Sequence, residues 1–86
     1  MSDVHEAVAR ARAAMAMALQ HARTRLLAGT DLRQIQGAID TAVRYMEDVE
    51  AYALLAAEGS VDAQEAITQR IAQLEDICDS LADQDG

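Results

Sequence analysis

Eighty-six residues carry a net charge of −8, 51% apolar residues and only 2% aromatic ones, with no Phe, Trp or Pro. A chain of this length folds as one domain, residues 1–86, with a thin core and little room for a large internal pocket. So few aromatic residues leave a β-sandwich or barrel little to build from, and the 19 alanines favour helix while adding little buried area; the expected class is all-α.

The first helix is expected over residues 3–28. Asp3 with Glu6 three residues on has capping-box spacing, and Gly29 can take the left-handed position that closes the helix. Its apolar stripe reads Val4, Val8, Ala11, Met15, Leu19, Ala22 and Leu26, widened by Ala7, Ala14 and Ala18, the spacing of a buried helical face. So many alanines imply a close neighbour.

The second helix, over 31–57, starts at Thr30 or Asp31 as N-cap and carries Leu32, Ile35, Ile39, Ala42, Met46, Val49, Ala53 and Ala56 in alternating steps of three and four, a heptad seam. Gly37 lies inside it and is expected at a point of close packing. Ser60 caps the third helix, over 61–82, whose stripe is Ala63, Ile67, Ile71, Leu74, Cys78 and Leu81 with Ile77 beside it. A frayed tail follows from about residue 82. Three helices joined by such short connections turn back on one another, so an antiparallel three-helix bundle is the economical solution; the alternative is a two-helix hairpin with the third helix docked in trans.

Charge is divided unevenly. Residues 1–44 hold six Arg against four acids, and residues 45–86 one Arg against eleven acids. The plain account is a solvated surface with internal pairing: a turn at Gly29 sets Arg10 and Arg12 beside Glu47 and Asp48, a turn at Gly59 sets Arg44 beside Glu75, and Arg23, Arg25 and Arg33 meet the acidic end of the third helix. Such pairs stabilise by only about 0–1 kcal/mol each. Asp76, Asp79 and Asp83 do not fit it, because they crowd a helix C-terminus where the dipole disfavours anions. The alternative account is an acidic ridge facing a basic partner. This sign of charge speaks against direct nucleic-acid binding.

Catalytic and metal chemistry find no support in the residues. His5 and His21 are too far apart on one helix to converge, Met15 and Met17 fall on different sides, and Cys78 sits in an apolar stripe without a basic neighbour. No cofactor, catalytic residue or metal ligand is expected. The lone cysteine excludes an intrachain disulfide, no apolar run is long enough to span a membrane, and the amino terminus has no basic region followed by an apolar stretch; a cytoplasmic protein without a membrane partner is expected. Tyr45 and Tyr52, seven apart, flank the seam of the second helix near Glu47, Asp48 and Glu50, and half-exposed tyrosines suit interface anchors. The expected protein-binding residues are therefore Tyr45, Glu47, Asp48, Glu50, Tyr52, Asp76, Asp79 and Asp83.

Two family resemblances bear on function. The rhythm from Leu32-Arg33 through Asp40 is similar to that of all-helical chorismate mutases, but their chemistry sets lysine and arginine around a dicarboxylate and this chain has no lysine. Met17-Ala18-Leu19 followed by Gly29-Thr30-Asp31-Leu32-Arg33-Gln34-Ile35-Gln36 resembles the small co-chaperones of type III secretion needle subunits, with Ile35 in place of their aromatic residue. That resemblance covers about a third of the chain and implies a cytoplasmic protein that covers the aggregation-prone helix of a secreted subunit through an apolar face. Function is thus expected to be non-enzymatic binding of another protein, of chaperone or adaptor type. The competing classes are a phage-type anti-defence inhibitor that blocks a nucleic-acid-binding site with its carboxylates, and a self-associating homodimer that completes a thin core.

Overall fold

The computed structural model describes residues 3–82 as three helices, α1 (Asp3–Leu27), α2 (Leu32–Ala57) and α3 (Val61–Ala82), with no strand among them. The cap expected of Asp3 rests on a side chain outside the described residues; so do Asp83 and the tail expected to fray.

The two connections are built alike. Gly29 and Gly59 have φ of 100° and 101°, and each closes a Schellman motif: Thr30 N–H donates to Arg25 C=O and Gly29 N–H to Leu26 C=O, while Ser60 N–H donates to Leu55 C=O and Gly59 N–H to Ala56 C=O. A Cβ at either glycine would meet no atom within 4 Å, so backbone conformation and not crowding demands the glycine. The next helix starts at once. The Asp31 carboxylate accepts from Arg33 N–H and the Ser60 hydroxyl from Ala63 N–H, satisfying donors that no carbonyl of the new helix can reach. Connections this tight reverse the chain twice, so α1 and α3 run parallel and α2 antiparallel to both, in a rod 46 Å long and 20 × 16 Å across.

All three helices pack on one another, and α3 is the helix they share. Its whole predicted stripe, Ala63, Ile67, Ile71, Leu74, Cys78 and Leu81, is buried, and in α2 the buried set is Ile35, Ala42, Val49 and Ala56, one residue every seven. The core of α1 is alanine alone: Ala11, Ala14, Ala18 and Ala22. Small residues there let its backbone close on the Ile and Leu row of α3.

That arrangement corrects three expectations. Leu19 and Leu26 are not in the core but 47% and 41% exposed, because α1 is turned so that its alanine line, not its leucine line, faces the bundle. Leu32 heads the seam of α2 in sequence yet is 55% exposed, since the bundle's buried seam begins at Ile35. Gly37 is exposed, and a Cβ there would meet nothing within 4 Å; it makes no close approach.

Candidate functional site

Ion pairs show which side of each helix meets which neighbour. Arg10 forks onto Glu75 of α3, with Nε donating to Oε2 at 2.8 Å and Nη2 to Oε1 at 3.0 Å. Arg12, two residues on and therefore turned about 160° around the helix, instead reaches Glu50 of α2 at 3.6 Å. Between α2 and α3, Arg70 Nε donates to Asp48 Oδ2 at 3.0 Å while its guanidinium lies 5.4 Å from the Tyr45 ring centroid and its Nη1 donates to Gln73 Oε1. The expected partners of Arg10 and Arg12, namely Glu47 and Asp48, are therefore wrong. Glu75 is held by Arg10 and not by Arg44; Arg44, Arg23 and Arg33 are exposed and meet no carboxylate among the described residues. Extrapolating one hairpin at a time misses the α1–α3 contact, which neither turn implies.

The eight predicted binding residues do not come together as one patch. Asp48, Tyr45 and Tyr52 lie on the side of α2 that meets α3; the tyrosines are half-buried against the core, and Arg70 is bound to two of the three residues. Glu50 faces α1, where Arg12 offsets its charge. Glu47 stands exposed on the outer side of α2, and Asp76 and Asp79 on the outer side of α3, with no cation partner among the described residues. Asp83 lies outside the described residues.

Arg70 is the residue that sequence reasoning passed over. The signal was present: Asp48 and Arg70 are each eleven residues from Gly59, so a hairpin turning there sets them opposite one another. Arg70 is the least exposed arginine of the three ion pairs found among the described residues, and its place beside a carboxylate and a ring gives it a structural role.

Burial, and then the negative charges of Asp79 and Glu75, raise the Cys78 thiol above its ordinary pKa, which keeps it protonated and unreactive at neutral pH. His5 and His21 are sixteen residues apart on α1, about 24 Å along the axis. No group of three or more His, Cys, Asp or Glu that could hold a metal ion occurs among the described residues, and no helix there is long and apolar enough to cross a membrane.

Where α1 begins and α2 ends, an open cleft of about 1040 Å³ is lined by Val4, Val8, Ala53, Leu54 and Ile67, with His5 and Arg12 among its polar residues. Short side chains on α1 do not fill the space beside α2. Comparison of the chain with protein-family models, with curated proteins and with solved structures yields no match.

Proposed function

We propose that this protein is a non-catalytic helical module that works by binding another protein through apolar side chains on its surface. One observation carries the reading: the chain builds the α1 side of its core from alanine while nine large apolar side chains among the described residues are exposed, Leu19, Leu26, Leu32 and Leu54 among them. Burying such side chains in an interface removes apolar area from water, which drives association. A chaperone or adaptor role, as the needle co-chaperone resemblance implies, fits an apolar face. The second reading, an acidic inhibitor aimed at a basic site, rests on Glu47, Asp76 and Asp79, which keep their charge without a cation partner among the described residues.

Capture from host extract on the immobilised chain tests both. Apolar binding predicts that a different protein is retained at low and high salt alike, that Leu19→Ser with Leu54→Ser releases it, and that Glu47→Gln with Asp76→Asn and Asp79→Asn does not. The opposite pattern, with capture lost at high salt and in the neutralised variant, selects the acidic reading. Retention of nothing beyond what a control surface holds refutes both.

A further inference from the structure

The exposed apolar residues of α2 fall on a line. Leu32, Val43 and Leu54 are spaced by eleven residues and again by eleven, and eleven residues complete three helical turns to within about 20°, so the three side chains share one side over about 33 Å. They are 55%, 41% and 73% exposed. Val43 is seven residues before Glu50 and Leu54 four after it, and Glu50 reaches across to Arg12; the line therefore runs beside α1. On α1 the neighbouring row is Arg12, Leu19 and Leu26, in steps of seven. The other two seams are closed by shorter ion pairs, Arg10 with Glu75 and Arg70 with Asp48. The α1–α2 face is the apolar side left open.

We propose that this face is where a second copy of the chain docks, antiparallel about a twofold axis that passes beside Val43. This rests on the reading that the surface apolar residues bind protein, and names the partner. The spacing is palindromic: reversing the line about Val43 brings Val43 onto its own counterpart and Leu32 of each copy onto Leu54 of the other. A twofold interface requires that self-complementarity. Leu54 also lines the open cleft, so the same superposition delivers the Leu32 end of one copy to the apolar cleft of the other.

Charge agrees with the antiparallel sense. Toward the Gly29 turn the face carries Arg23, four residues after Leu19 and without a carboxylate partner among the described residues, and toward the Gly59 turn it carries Glu58, four residues after Leu54 and without a cation partner among them, while Glu50 is already held by Arg12. Antiparallel copies set each basic end against an acidic one; parallel copies set like against like.

The experiment uses the whole chain. Sedimentation equilibrium from low micromolar to millimolar concentration should give twice the 9.3 kDa of the chain. Val43→Asp, which sets two carboxylates against each other at the axis, should weaken association by about two orders of magnitude with unchanged helical circular dichroism, because Val43 lies at the surface of the folded chain. In a Cys78→Ala background, Val43→Cys should cross-link to its own counterpart under mild oxidation, since a residue on a twofold axis meets itself within disulfide reach; Val61→Cys, exposed but off the line, should not. A single-chain mass at every concentration overturns the proposal, as does a dimer that survives Val43→Asp and cross-links as readily through Val61→Cys. A monomer that still retains a different protein from host extract sinks the second-copy assignment and leaves the protein-binding reading standing. A dimer that fails the same capture test upholds the assignment and removes the adaptor role.

Discussion

Leu74 and Leu19 are chemically identical and structurally opposite, and truncating each to alanine weighs the bundle's core against its surface. Leu74 is fully buried on α3. Removing three of its carbons forfeits about 2.4 kcal/mol of transfer energy at about 0.8 kcal/mol per carbon, and the cavity left behind raises the loss to about 3–4 kcal/mol. A domain of this length is stable by only about 4–13 kcal/mol, so Leu74→Ala removes a large share. At 4–8 °C per kcal/mol the melting temperature should fall by roughly 12–32 °C. Leu19 is already about half in water, so Leu19→Ala should cost about 1 kcal/mol or less, partly offset by the better helix propensity of alanine. Both belong in a Val43→Asp background, which keeps self-association out of the comparison. Thermal and urea melts followed by circular dichroism give the two values. Equal losses would refute the orientation of α1 described here and return Leu19 to the core, where the periodicity of the sequence had set it.

The glycines divide by conformation: Gly29→Ala and Gly59→Ala should each cost about 1–2 kcal/mol for a left-handed φ, whereas Gly37→Ala, in an exposed helical position with open space at its Cβ, should stabilise by about 0.5–1 kcal/mol in the same melts. Ala18→Leu should destabilise by about 1–3 kcal/mol, because α1 lies too close to its neighbours to admit three more carbons. Arg70→Ala should cost about 1–2 kcal/mol, combining a partly exposed ion pair with a cation–π contact, and Asp48→Asn should recover only part of that loss. Because the folded state raises the Cys78 pKa, its contribution to stability is fully present below the ordinary thiol range and is lost as pH rises through the folded value. Urea midpoints measured upward from neutral pH should show an alkaline decline that Cys78→Ala reduces.

Helix boundaries were legible because they depend on local chemistry: a left-handed glycine, then a side-chain oxygen that caps the next helix, repeated at Gly29 and Gly59. The buried face of α3 was equally legible, since its large residues sit on one stripe and its polar residues on the other. Legibility ended at α1, where alanine and leucine lines lie side by side and hydropathy favours the leucines. The ion pairs were half legible. Counting outward from a turn does place Asp48 opposite Arg70, but no turn joins α1 to α3, so Arg10 with Glu75 lay beyond any reading of single hairpins. The described members of the predicted binding set are spread over different sides of the bundle, because neighbours in sequence on a helix point to different sides of it.

What the residues determined unaided is the number, length and reversal of three amphipathic helices, since capping, propensity and periodicity act within a few residues. Which line of α1 turns inward was decided only in the assembled bundle. There the bulk of α3 requires small partners at close approach, and the larger side chains of α1 and α2 are left to water. The exposed Leu32–Val43–Leu54 line exists only as a consequence of that choice, and it becomes visible as a surface once all three helices are in place.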